Sequence, residues 1–216
     1  VRGYSKGYGF TAGARLEGPT NHAWNAVKLD GQWHLLDCTW GAGHVTQAME
    51  FERDFTEHYF LTSPDQFLYD HFPADPKWQL LDRPITKEEY ERLVYLRPGF
   101  FRCGLAVESH PTATIQADDS ATITFRGGED ALLLSTLMQG GEKLNRPLAL
   151  TQREKGKLVT RVRFPKPGEY TLRFFARPRG QTGPYKWAVD YKVVAARGAG
   201  EAAEFPKTYG EFQERG

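Results

Sequence analysis

The stretch Asn21-His22-Ala23-Trp24-Asn25-Ala26-Val27-Lys28-Leu29-Asp30-Gly31-Gln32-Trp33-His34-Leu35-Leu36-Asp37-Cys38-Thr39-Trp40 governs how this chain is read. Asp30-Gly31 stands between two hydrophobic runs. That dipeptide suits the centres of a type I′ turn, which both need positive φ. Leu29 then pairs with Gln32. Carried outward, the same register sets Trp24 opposite Asp37 and His22 opposite Thr39. His22 and Asp37 become diagonal neighbours on one face, about 7–8 Å apart at the backbone. Their side chains can close that gap with a hydrogen bond. Cys38 is one residue further on and points to the opposite face.

A histidine held by an aspartate is two members of a Cys-His-Asp triad. The carboxylate fixes the tautomer and supports the imidazolium that forms on proton uptake. The other ring nitrogen is left to activate a thiol. The same spacing also fits a half-buried histidine satisfied by a carboxylate. Trp24 and Trp40 flank the pair. They read as core residues, and would exclude water from an acyl-enzyme if they lined a channel. His34 reads as a surface or satisfied histidine. His44, His58 and His71 with Cys38 match no compact zinc pattern, so no metal and no cofactor is expected. Ser63 and His58 lack the nucleophile elbow of a serine hydrolase.

The sequence from Asn21 to Gly43 resembles the His and Asp segments of the transglutaminase-like cysteine-peptidase superfamily. Residues 3–10 (GYSKGYGF), residues 57–81 (EHYFLTSPDQFLYDHFPADPKWQLL) and the β-rich segment beyond narrow the resemblance to the kyphoscoliosis peptidase and hillarin group. It runs from Val1 to about Ala195. Carried over by position, it implies His22 as catalytic histidine and Asp37 as catalytic aspartate. The family nucleophile is a cysteine at a helix start upstream of the strand that Val1–Phe10 resembles. Cys38 falls where relatives carry Ser or Pro, and Cys103 matches nothing catalytic. The chain has no initiator Met and opens in mid-motif. It therefore reads as a fragment, inactive as given, of a parent that is either a cysteine peptidase or acyltransferase or a non-catalytic cytoskeletal scaffold. Either way the expected partner is a protein, as substrate or as cytoskeletal contact.

The expected class is α+β. Residues 1–102 are read as the C-terminal part of a transglutaminase-like, papain-like core with an antiparallel sheet. Residues 103–195 are read as an immunoglobulin-like β-sandwich, and 196–216 as a linker or the start of a further module. In the first part Val1–Tyr4 reads as a strand followed by a Gly-rich loop, and Tyr59-Phe60-Leu61 as a buried run. Ser63-Pro64 opens a short helix that carries Phe67, Leu68 and His71. Thr86 and Glu89 form a capping box for a helix ended by Pro98-Gly99. Period-two alternation marks strands over 121–125, 158–164, 170–174 and 187–193, with turns at Gly127-Gly128, Gly140-Gly141, Lys155-Gly156 and Pro167-Gly168. Arg161 and Arg163 alternate with Val162 and Phe164, which suits a solvated sheet face.

Net charge of +1 over 216 residues gives no electrostatic case for nucleic acid or an anionic membrane, and no apolar run is long enough to span a bilayer. Two cysteines cannot build a disulfide framework. Free thiols favour an intracellular setting, cytoplasmic or cytoskeleton-associated.

Overall fold

Asp30 and Gly31 hold φ of 47° and 83°, as their turn requires. The computed structural model describes residues 1–7, 9–46, 48–200 and 204–206. It divides into two compact units. One comprises Val1–Phe10 and Ala14–Glu91, and the other Thr11–Gly13 and the residues from Arg92 onward.

The first unit carries β1 (Arg2–Ser5), β2 (His22–Ala23), β3 (Asn25–Leu29), β4 (Gln32–Leu36), α1 (Cys38–Ala42), β5 (Gly43–Val45) and β6 (Phe51–Arg53). It continues with β7 (Phe60–Thr62), α2 (Pro64–Phe67), β8 (His71–Pro73) and α3 (Lys87–Arg92). The hairpin β3–β4 has the expected register, from Leu29 opposite Gln32 to Asn25 opposite Leu36. There the ladder stops. His22 does not lie opposite Thr39. It pairs with Gly3 of β1, in a separate sheet ordered β2-β1-β8. Two local preferences cause the change. Asp37 leaves the strand to cap α1, and Asn21 turns its side chain to the Ser5 backbone, with 2.7 Å from the Ser5 N–H to Oδ1. That amide extends the pairing of β2 with β1 and fixes its register.

His71 stands on β8, opposite Ser5, and not on the helix after Ser63. α2 does start at Pro64 but ends at Phe67, and Ser63 makes no side-chain cap. Of the run Tyr59-Phe60-Leu61 only Tyr59 is buried. Phe60 is 59% exposed although Thr62, two residues on, is buried, because Leu61 between them takes a positive φ of 53° and breaks the strand alternation. The capping box forms, with Thr86 N–H to Glu89 Oε2 at 2.7 Å and Glu89 N–H to Thr86 Oγ1 at 3.2 Å. Its helix stops at Arg92, well before Pro98. Trp24, Leu35, Tyr59 and Phe67 form the core beside β3–β4, with Trp40 and Leu80 packed against them.

The second unit begins with β9 (Tyr95–Leu96) and α4 (Pro98–Arg102), which Pro98 opens instead of ending the preceding helix. β10 (Leu105–Val107), β11 (Thr114–Ala117), β12 (Ser120–Gly127), β13 (Ala131–Gln139), β14 (Glu142–Lys143), β15 (Ala149–Glu154), β16 (Lys157–Arg163), β17 (Gly168–Pro178) and β18 (Lys186–Ala195) follow. One sheet runs β10-β12-β16-β15. The other runs β11-β18-β17-β13-β14, with β9 also on β18. Every pairing is antiparallel except β11 with β18. Ile123, Phe125, Val162, Leu172, Phe174, Tyr191 and Val193 are fully buried between the sheets. Phe125 and Phe174 meet edge to face at 5.2 Å. Arg161 does face outward, paired with Glu154. Residues 196–200 and 204–206 bond to the sandwich backbone at Ala117, Asp118, Phe164, Pro165 and Pro147. The rest of the expected linker, residues 201–203 and 207–216, lies outside the described residues.

Gly3 sits where β1 passes closest to its neighbours. A Cβ there would lie 2.2 Å from the Phe72 carbonyl oxygen and 2.5 Å from the Trp24 ring. Gly3→Ala should therefore cost about 1–3 kcal/mol of stability through overpacking. Urea denaturation followed by Trp fluorescence measures this, and an unchanged midpoint would contradict the close approach.

Candidate active site

Asp37 is 1% exposed and anchors the site. It precedes α1 in extended conformation, and its Oδ1 accepts the N–H groups of Thr39 at 2.8 Å and Trp40 at 2.9 Å. This is an N-cap, the position Asp favours because it satisfies otherwise unpaired helix donors. Capping leaves Oδ2 for two imidazoles. His22 Nε2 lies 2.5 Å from it and His71 Nε2 2.9 Å.

The sheet β2-β1-β8 explains why both rings arrive together. His22 lies opposite Gly3 and His71 opposite Ser5. Gly3 and Ser5 are two residues apart on β1, so both histidines share one face of the sheet. Trp24 and Trp40 pack against that face, with ring centroids 6.1 and 5.3 Å from His22. Both tryptophans belong to the core and to the wall of the site.

A buried chain of polar groups continues behind His71. Its Nδ1 lies 2.6 Å from Asp70 Oδ1, and the Tyr59 hydroxyl donates to Asp70 Oδ2 at 2.8 Å. Lys6 donates its backbone N–H to the Asp70 carbonyl, and its ammonium donates to the Tyr90 carbonyl at 2.7 Å.

Burial opposes each charge here. Desolvation would raise the Asp37 carboxyl, but hydrogen bonds from His22, His71 and the Trp40 N–H outweigh it and hold the group well below the carboxylate range. Desolvation would lower His71, but Asp70 and Asp37 together raise it above the ordinary imidazole value. Burial brings Lys6 down to about 7, with Asp70 and Glu91 offsetting only part of the effect.

The structure brings His22 and Asp37 into contact, though from two sheets and not one ladder. His34, His44 and His58 take no part in the cluster. Among the described residues the only set able to hold a metal is His22, Asp37 and His71. A cation there would have to displace both hydrogen bonds on Asp37 Oδ2. Both cysteines are free, Cys38 exposed and Cys103 buried. Burial pushes the Cys103 thiol up, against a smaller lowering from Arg102. Neither sulfur hydrogen-bonds His22 among the described residues.

His71, Asp70, Tyr59 and Lys6 are functional candidates that sequence reasoning missed. A signal existed, since Asp70-His71 is a polar pair set among Phe67, Leu68 and Phe72. Charged groups embedded in an apolar run are buried only when paired.

With Nε2 engaged by Asp37, the reactive nitrogen of His22 is Nδ1, on a side chain 15% exposed. The arrangement can take a proton from an approaching acid and return it to a leaving group.

The chain is similar to several known proteins. The family model described as "KY-like, immunoglobulin-like domain" matches residues 87–206. The mouse (Mus musculus) protein "Kyphoscoliosis peptidase" is 36% identical over 196 residues, covering 89% of this chain and 28% of that protein. "Hillarin" of Drosophila melanogaster is 37% identical over 140 residues, covering 58% and 17%. "Lim and transglutaminase domain protein ltd-1" of Caenorhabditis elegans is 33% identical over 140 residues, covering 58% and 19%. The chain thus spans less than a third of these relatives. Among the described residues no helix is long and apolar enough to cross a membrane.

The pH dependence of stability has a definite sign. Asp37 is lowered from 3.8, so its contribution is present above about 3.8 and is lost as pH falls through the native value. His71 is raised from 6.5, so its contribution is complete below about 6.5 and is lost as pH rises through the native value. Asp37→Asn should cost about 3–5 kcal/mol, the range for breaking a buried charged pair. Urea titrations across pH should show the widest gap from wild type between about pH 4 and 6.5. A gap independent of pH would contradict the assigned charges.

Proposed function

The chain belongs to the kyphoscoliosis peptidase and hillarin group, and from that premise we propose that its first unit carries the base and orienting carboxylate of a transglutaminase-like cysteine acyl-transfer site. His22 is the general base and then the acid, and Asp37 orients it. The observation that supports this most directly is the 2.5 Å contact from His22 Nε2 to Asp37 Oδ2, which leaves Nδ1 unbonded among the described residues.

The chemistry runs as a two-step acyl transfer. A thiol gives its proton to His22 Nδ1, and the thiolate adds to the carbonyl carbon of a peptide bond or a glutamine carboxamide. The tetrahedral adduct collapses with cleavage of the C–N bond, and the leaving nitrogen takes the proton from Nδ1. The thioester then accepts water, as in a peptidase, or an amine, as in a transglutaminase. The acceptor gives its proton to Nδ1 and the sulfur is released. Asp37 stabilises the imidazolium at each stage. Cys38 and Cys103 make no hydrogen bond to His22 among the described residues, and this reading gives neither of them the nucleophile's role.

The exposed apolar side chains of the first unit favour a second reading, a non-catalytic contact with a protein partner such as a cytoskeletal protein. Val45 and Phe51 are directly paired across β5 and β6 and are 44% and 58% exposed. Adjacent exposed apolar residues mark protein contacts more often than isolated ones.

Thiol alkylation of the full-length protein separates the two readings. In a Cys38→Ser background, His22→Ala should slow labelling of one cysteine by roughly 10²-fold or more, the scale of general-base assistance. Labelling that is indifferent to His22 would overturn the acyl-transfer reading and leave the contact reading standing.

A further inference from the structure

We propose that His71 is a positioning residue for the His22–Asp37 pair: a buried imidazolium, held between Asp70 and Asp37, that locks the Asp37 carboxylate and shares its charge, so that His22 binds its proton less tightly. The mechanistic meaning rests on the acyl-transfer reading; the charge sharing is a property of the cluster alone.

A carboxylate offers about four acceptor sites. Asp37 uses Oδ1 for the Thr39 and Trp40 amides, and Oδ2 for His22 and His71. With every site filled by a donor on a fixed element, the carboxylate cannot rotate. His71 supplies the donor that a simple His–Asp pair would lack.

His71 presents Nδ1 to Asp70 at 2.6 Å and Nε2 to Asp37 at 2.9 Å. An imidazole that donates from both nitrogens to two carboxylates is the protonated form. Its side chain is wholly buried, so water does not screen that charge. The surroundings suit a cation. Phe67 stacks on the ring at 4.1 Å, and the Trp40 and Trp24 rings lie at 4.6 and 5.0 Å. The titratable groups that face it are Asp37 and Asp70, the His22 ring at 5.4 Å and the Tyr59 ring at 5.9 Å. Lys6 acts on the far side, on Asp70. Part of the Asp37 charge is thus already neutralised before His22 takes a proton. The Asp37–His22 attraction is correspondingly weaker, which helps a base that must give its proton back.

Nitrogen-15 NMR of the chain tests this. At neutral pH both ring nitrogens of His71 should be protonated; a neutral tautomer overturns the proposal. In His71→Gln the amide can still bond Asp37 but carries no charge, and the His22 titration midpoint should rise by about one pH unit, a tenfold tighter proton. An unmoved midpoint in a folded variant overturns the proposal and leaves His71 a packing residue. Should that variant fail to fold, Asp70→Asn serves instead: it should abolish the double protonation of His71, and persistence would count against the clamp. In the full-length protein, the pH profile of thiol labelling should shift with the His22 midpoint. Loss of the NMR shift with labelling still dependent on His22 defeats this proposal alone. A shift without dependence of labelling on His22 defeats the acyl-transfer reading alone.

Discussion

The Asp37 carboxylate accepts four hydrogen bonds, and three different needs of the chain place their donors. The helix α1 requires a cap. The strand β2 follows an edge that Asn21 sets. The strand β8 pairs with β1 because its own apolar residue, Phe72, must be buried. A lone buried carboxylate would be protonated or would unfold its surroundings. With these donors it stays ionised, and the same bonds that settle its desolvation orient the imidazole beside it.

Short-range chemistry is what the sequence made legible. The turn at Asp30-Gly31 follows from backbone conformation at two residues, and the hairpin register follows from the turn. The capping box at Thr86 and Glu89 is likewise local, as is the alternation that located β12, β16, β17 and β18. The pairing of His22 with Asp37 was legible for a partly mistaken reason. Extending the hairpin ladder past Asn25 ignored the competing preference of Asp for a helix cap, and the contact arises across two sheets instead.

What stayed hidden depends on distant partners. Nothing local in Asp70-His71-Phe72-Pro73 says that the segment becomes a strand beside residues 3–5. Its helical reading failed because tertiary pairing with β1 outweighed a short helix with no side-chain cap. β13 was missed for a related reason. Ala131, Leu132 and Leu133 are all buried, so the strand shows no alternation at its start. β9 and α4 divide around Pro98, which the sequence reading used as a stop and the fold uses as a helix opener.

Between β2 and β3 lies only Trp24, and the two strands belong to different sheets. Trp24 is 4% exposed. A one-residue joint filled by the largest side chain has no slack. The histidine-bearing sheet cannot swing away from the carboxylate without extracting that indole from the core. The pair is therefore preorganised, and little reorganisation energy is left to supply when charge develops on the ring.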